Sequence, residues 1–286
     1  MEKIGVIGGS GLYNLDGLKL KDEVTLRTPF GDPSDKFIIA EFEDKEVVFL
    51  PRHGKDHAIS PSKINYRANI YGMKKLGVSR ILSVSACGSL KEEFKPCDFV
   101  IPLQFVDRTN QARKYTFFDE GIVAHVSFAY PVCEDFAKLV HKAAGQFNVD
   151  VHYGGTYLNM EGPQFSTQAE SNLYRSWGMD IIGMTNMAEA RLAKEAELCY
   201  VTLAAVTDYD CWRQSEEVVT VDMILENLQK NTDTAKKILK SVLSQSFDSK
   251  SCACNKSLQH AIVTRPQAID SKIKKDLDII IGKYVS

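Results

Sequence analysis

Seven short apolar runs rich in Val and Ile, at 4–7, 37–42, 47–50, 81–84, 99–103, 181–184 and 198–206, alternate along the chain with stretches of helical spacing. Runs of that length suit strands, and their alternation with helices predicts an α/β fold with a central sheet. No internal repeat, Pro-rich linker or low-complexity stretch divides the 286 residues. One domain over 1–286 is therefore expected, with 246–286 as a C-terminal helical extension. Segment 104–129 has no sustained period and is expected to be a long excursion.

Helix boundaries carry their own signals. Ser60 as a cap, Pro61 at the first position, Ile64, Ala68 and Tyr71 on one face and Gly77 as a stop predict a helix. Thr167 and Glu170 fit a capping box opening a helix that runs to about Trp177. Ile224, Leu225, Leu228, Ala235, Ile238, Leu239, Val242 and Leu243 form one apolar stripe, which predicts a long helix packed on a sheet. Residues 249–286 hold seven Lys plus Arg against three Asp, but their interleaving with Ile and Leu predicts a solvated helix face, not a polyanion site.

The whole chain has 35 Lys plus Arg against 37 Asp plus Glu, so it lacks the broad positive field of a nucleic-acid binder. A small-molecule ligand is the better default. No apolar run approaches the ~18 residues needed to span a bilayer, and the start of the chain lacks the long apolar region of a secretory signal. A cytoplasmic protein is expected. Its seven cysteines are too sparse for a disulfide scaffold and odd in number, in keeping with reduced thiols.

Several strand ends carry groups suited to an anion. Gly8-Gly9-Ser10-Gly11 follows the first strand and offers open backbone N–H groups and a hydroxyl. A plain tight turn explains it equally well. Asn14 stands where a dinucleotide fingerprint needs its third glycine, and the Walker Gly-Lys-Ser/Thr is absent. Arg52-His53-Gly54 places a forked cation beside an imidazole at the end of another strand, and Ser85 and Ala86 lie in a third strand end of small residues. His53 and His57 are four apart, but Gly54 and Pro61 argue against a helix there and no third ligand accompanies them, so zinc is not expected. Cys87 is expected to be structural. After the run at 198–206, Asp208 and Asp210 are two apart, and an extended backbone would point both carboxylates one way. A loop that merely caps the next element is the simpler explanation of those two acids taken alone.

Taken in order, Gly-Gly-Ser-Gly, Thr-Pro-Phe-Gly (28–31), Pro-Ser-Asp (33–35), Arg-His-Gly, Ala-Cys-Gly-Ser-Leu, Glu-Gly-Pro-x-Phe-Ser (161–166), Met-Thr (184–185) and Thr-Asp-Tyr-Asp-Cys-Trp resemble the 5′-methylthioadenosine phosphorylases of the purine nucleoside phosphorylase family, over residues 3 to about 245. The resemblance implies a single-domain α/β fold with a central mixed sheet flanked by helices. It implies a homotrimer or homohexamer that needs neither cofactor nor metal. Such an enzyme uses inorganic phosphate to cleave methylthioadenosine into adenine and methylthioribose 1-phosphate, in methionine and purine salvage.

By the same resemblance, phosphate falls to Ser10, Arg52, His53, Ser85, Ala86 and Thr185. Met184 falls beside the ribose, Phe165 and Ser166 beside the purine, and Asp208 and Asp210 on it, with Asp208 the general acid. His125 corresponds to a histidine lent by a neighbouring subunit. Keeping Asp210 as an acceptor favours a 6-aminopurine; a 6-oxopurine nucleoside or methylthioinosine phosphorylase is the alternative. A dinucleotide-dependent oxidoreductase and a non-catalytic nucleoside binder remain as readings from other classes. Gln164 stands where the family usually has Arg, Ala188 where Pro is common, and Ser10 and Ser85 where many members have Thr. Cys252-Ala-Cys254 resembles a Cys-x-Cys that can oxidise in some members, and Cys133 with Cys199 is a further candidate pair; reduced thiols are the expectation.

Overall fold

The computed structural model describes residues 2–110, 112–213, 221–247 and 252–285, without the side chains of Ser10 and of 221–225. Strands β1 (Lys3–Gly8), β2 (Lys19–Val24), β3 (Phe37–Phe42) and β4 (Lys45–Pro51) precede helix α1 (Tyr66–Lys75). Next come β5 (Arg80–Ser89), β6 (Phe99–Ile101) and β7 (Gln104–Arg108), then α2 (Glu134–Ala144), β8 (Val151–Tyr153) and β9 (Thr156–Met160). Helix α3 (Gln168–Ser176), β10 (Ile181–Gly183), α4 (Asn186–Glu195), β11 (Cys199–Asp208) and α5 (Val221–Leu243) follow, and α6 (Ser271–Asp276) and α7 (Asp278–Val285) end the chain.

All strands join one mixed sheet, ordered β2-β3-β4-β1-β5-β10-β9-β7, with β11 and then β6 and β8 branching from β5. Alternating residues explain the layers. Val47 and Phe49 of β4 enter a core with α2 and α5, whereas Val48 and Leu50 enter a second core with α1, α4 and α7. Burial on both faces is why these strands are near-continuous apolar runs rather than alternating ones. Among the described residues, no helix is long and apolar enough to cross a membrane.

The short strands β2, β7, β8 and β9 and helices α2 and α4 lie outside the segments singled out in the sequence. Segment 104–129 contains β7, and farther along it Phe117 and Phe118 are buried in the second core. The capping box of α3 is present, with Thr167 accepting from the Glu170 amide and Glu170 from the Thr167 amide. In the long helix Ala235, Ile238, Leu239, Val242 and Leu243 are buried, but Leu228 is 38% exposed, and Ile224 and Leu225 have side chains outside the described residues. The lysines of α6 are half-buried or exposed, yet Ile280, Ile281 and Val285 of α7 enter the second core beside Tyr71.

The predicted helix start at Ser60 is corrected. Ser60 and Pro61 open a single 3-10 turn, Pro61–Lys63, and Ser60 makes no side-chain cap; extended Ile64 ends that turn. The α-helix begins at Tyr66, where Asn65 accepts from the Ala68 amide at 3.2 Å. Asn65 also donates to the carbonyl of Phe30 at 2.7 Å. Gly77 ends the helix at φ +82°, a conformation that suits glycine. Asn65→Ala is expected to lower stability by about 1–3 kcal/mol in denaturant titration, while Ser60→Ala leaves it unchanged. Equal effects would restore Ser60 as the cap.

Candidate active site

Strands β1, β4, β5 and β11 are mutually parallel, so their C-terminal ends meet one edge of the sheet. Along β5, β1 pairs from Arg80 to Ser83 and β10 pairs only at Gly88 and Ser89. Between those stretches, residues 84–87 face no strand on that side among the described residues. The sheet therefore opens at the point where strand order switches, the usual location of a ligand crevice in such folds. Ala86 is the single exposed residue of β5, and Ser85 beside it is buried. A Cβ at Gly8 would press on the Val84 carbonyl oxygen, 3.2 Å away, and would require the Leu12 side chain to shift.

Arg52 reaches this opening from the end of β4, its amide bonded to Gly8 O at 2.9 Å. Its guanidinium pairs with Glu189 of α4 and donates to Ser83 Oγ at 2.6 Å and Val84 O at 3.1 Å. Burial works against the Arg52 charge, but Glu189 outweighs it and holds the pKa above the ordinary value. Of five N–H groups these bonds and a second one to Glu189 occupy four, leaving one on Nη1 for a ligand. Ser83 donates on to Glu189 Oε2 at 2.6 Å. Asn186 Nδ2 has Ser83 Oγ at 2.9 Å, Tyr200 OH at 3.0 Å and Thr202 Oγ1 at 3.1 Å around its two N–H groups, and its Oδ1 accepts from Ser85 Oγ at 2.8 Å. Thr185, buried immediately before α4, lies against the same Asn186 carbonyl. Arg52, Ser85, Ala86 and Thr185 thus come together around one buried polar network. Ser10 opens a 3-10 turn directly after β1; its side chain lies outside the described residues.

His53 donates from Nδ1 to the Ile59 carbonyl, 2.7 Å away, because that oxygen can only accept. Its ring stacks on His57 with centroids 4.3 Å apart. Burial first, and then the charge of Arg52, push its pKa down to about 4. The imidazole is therefore neutral at pH 7, with Nε2 left as an acceptor, suited to a protonated oxygen of an anion rather than to a bare one.

Asp208 ends β11 on the same edge, paired with Gly88 of β5. Its Oδ2 accepts from Thr207 Oγ1 at 2.7 Å and its Oδ1 from the Asp210 amide at 2.7 Å. The expected mechanism for aligning the two acids, strand alternation, is corrected. Asp210 stands beyond the strand at φ +52°, and an Asx turn folds it back onto Asp208. Burial raises the pKa of both acids; the bonds from Thr207 and the Asp210 amide oppose this at Asp208, and the neighbouring Ser171 and Ser166 hydroxyls and Cys211 amide oppose it at Asp210. Cys87 is buried and its thiol is pushed well up by burial, in line with a structural role.

The 160–166 loop borders the acids. Ser166 is half-buried beside Asp210, while Phe165 is 69% exposed. Gln164 is exposed, and Ala188 sits in the first turn of α4, where alanine continues the helix without disturbance. The Met184 carbonyl accepts from Asn159 Nδ2 at 3.1 Å and from Arg113. Arg113 also binds the Glu161 carbonyl at 2.6 Å, clamping segment 112–118 to both loops. His125 lies apart, exposed, its amide bonded to Ala261 O at 2.8 Å. Arg113, Glu189 as the partner of Arg52, and Asn186 as the hub were missed by sequence reasoning, because none stands in a motif whose chemistry reveals its partners.

Residues 3–244 match the model of the phosphorylase superfamily. The chain belongs to that superfamily. It is 52% identical to an S-methyl-5′-thioadenosine phosphorylase of Geobacter sulfurreducens over 282 residues, covering 99% of each chain. It is 53% identical to the protein of that name from Koribacter versatilis, covering 99% of this chain and 96% of the relative. Among solved structures, a methylthioadenosine phosphorylase from an Antarctic soil metagenomic library superposes with TM-score 0.91 at 44% identity, covering 98% of each chain. The adenosine/methylthioadenosine phosphorylase of Schistosoma mansoni, a mutant solved with methylthioadenosine, gives 0.81 at 33% identity over 99% of this chain and 98% of its own.

The superfamily member's buried Arg52–Glu189 pair leaves an uncompensated charge if one partner is lost. Glu189→Gln is expected to cost about 3–5 kcal/mol in denaturant titration, and Arg52→Met with Glu189→Leu to cost less than the sum of the single changes. Additive losses would show that the pair is not coupled.

Proposed function

We infer that the chain catalyses phosphate-dependent cleavage of the N-glycosidic bond of 5′-methylthioadenosine, releasing adenine and 5-methylthioribose 1-phosphate. One observation carries this reading: an acid pair with raised pKa values and a cluster of anion-suited groups share the edge where the sheet opens at β5. The identity of about half with relatives bearing that activity's name supports the choice of substrate.

In this reading the free Arg52 N–H, Ser10, Ser85, Thr185 and the Ala86 backbone bind phosphate, and His53 Nε2 accepts a hydrogen bond from its protonated oxygen. Met184 offers its amide to the ribose, since its carbonyl is already occupied. Phe165 and Ser166 flank the purine. Bond cleavage builds positive charge on the sugar and negative charge on the leaving base. Phosphate beneath C1′ stabilises the first and a proton from Asp208 to purine N7 relieves the second. The proton on Asp208 occupies a lone pair not used by Thr207 or the Asp210 amide. Asp210 accepts from the 6-amino group, and a 6-oxo group in its place would oppose two acceptors.

His125 completes the methylthio end of a neighbouring subunit's pocket in a trimer or hexamer. Its exposure supports this, as do Val123 and Val263, 45% and 64% exposed on paired segments beside it. The reaction runs in the cytoplasm, in keeping with seven cysteines too sparse and odd in number for a disulfide scaffold.

Steady-state turnover of methylthioadenosine beside inosine, both with phosphate, tests the substrate assignment. Methylthioadenosine is expected to be much the faster; a faster oxopurine would overturn the role of Asp210. Asp208→Asn is expected to reduce kcat by about 10² or more. Because the protonated acid is the active form, wild-type kcat should decline as pH rises through the raised Asp208 pKa. Near-normal turnover in the variant would remove Asp208 from the mechanism.

A further inference from the structure

The structure turns two separate candidate cysteine pairs into one cluster. Cys133 immediately precedes α2, Cys199 opens β11, and Cys252 and Cys254 lie at the 3-10 turn Ala253–Lys256. Their four Sγ atoms all lie within 4.8 Å of one another, and those of Cys133 and Cys252 are 3.5 Å apart. Exposures of 3%, 0%, 8% and 6% close the cluster to water. Cys87, Cys97 and Cys211 stand outside it.

A tetrahedral ion with metal–sulfur bonds of about 2.3 Å needs sulfurs roughly 3.8 Å apart, which falls inside the observed spread. Thiolate ligands are soft and select zinc over magnesium or calcium. Four ligands fill the coordination shell, so such a site has no open position for substrate and is structural.

Four thiolates around a divalent ion leave a double negative charge, and one buried guanidinium, that of Arg80, stands on the strand beside Cys199. Arg80, 1% exposed and already paired with Glu2, stands opposite Cys199 in the β5–β11 register. Its Nε has no hydrogen-bond acceptor among the described residues, and its guanidinium lies over the Phe247 ring at 4.4 Å.

We propose that Cys133, Cys199, Cys252 and Cys254 bind one Zn²⁺ as a structural tetrathiolate site. Binding releases four thiol protons and involves no change of oxidation state. The ion ties the segment after α5 to the starts of α2 and β11. Nine residue steps of β11, about 30 Å, separate it from Asp208, so the ion takes no part in the chemistry at that end.

The test uses the full chain, expressed with zinc and purified without chelator or oxidant. Elemental analysis is expected to find one zinc per chain. Chain stripped of metal under reducing conditions and given Co²⁺ should develop the visible d–d bands and sulfur-to-cobalt charge transfer of a tetrahedral thiolate complex. Adding Zn²⁺ to stripped protein should raise Tm by more than about 5 °C. Cys254→Ser should lose most of the zinc, and Cys97→Ser should keep it; if the first variant fails to fold, the cobalt spectrum of the unaltered chain still decides. Metal-free protein whose mass is short by four hydrogens, showing two disulfides, would overturn the proposal. So would stripped protein that gives no tetrahedral cobalt spectrum and no Tm response to zinc.

Discussion

The buried ion pair between Arg52 and Glu189 is the constraint around which the crevice is organised. It joins the end of β4 to the first turns of α4, and its carboxylate also takes hydrogen bonds from Ser83 of β5 and Tyr200 of β11. Four elements are thereby held together where, among the described residues, 84–87 of β5 pair with no strand on one side. Neutralising most of the Arg52 charge within the protein costs electrostatic attraction for a ligand, yet it fixes the remaining N–H in direction. A preorganised donor in a dry site gains more for a developing charge than a mobile cation in water.

Asp208 and Cys199 mark opposite ends of β11, and the two ends differ in character. At the C-terminal end an Asx turn brings two carboxyls together, with burial raising their pKa values and hydrogen bonds restraining the rise. At the N-terminal end thiols from three segments meet in a core lined by Phe136 and Phe247. Proton chemistry needs polar groups held near ionisation, whereas a chain tie needs a closed apolar setting. One strand meets both demands because it is buried along its length and reaches a crevice only at its last residue.

Much of this was legible in the residues. The Val- and Ile-rich runs marked β1, β3, β4, β5 and β11, and the Thr167 capping box appears as written. β8 and β9 were not legible, because Val-His-Tyr and Thr-Tyr-Leu-Asn-Met form no run rich in Val and Ile. The start of α1 was misread because Ser60-Pro61 is an equally good start for a 3-10 turn, and only the extended conformation of Ile64 shifts the cap to Asn65. Arg52, His53, Ser85 and Asp208 were visible as strand-end chemistry, and the structure gathers them at one edge. Glu189, Asn186 and Arg113 were not, since a buried polar hub is defined by its partners across the fold. The cysteines show the same limit: the resemblance suggests Cys252 with Cys254, and Cys133 with Cys199 is a further candidate pair, but the meeting of all four depends on how the last segment packs.

Adenine release from methylthioadenosine, followed with inorganic phosphate present and after its rigorous removal, tests most directly whether the crevice serves an anionic nucleophile. Release should depend on phosphate and yield one pentose 1-phosphate for each adenine. Adenine formed at the same rate without phosphate, accompanied by free methylthioribose, would make water the nucleophile and contradict the account.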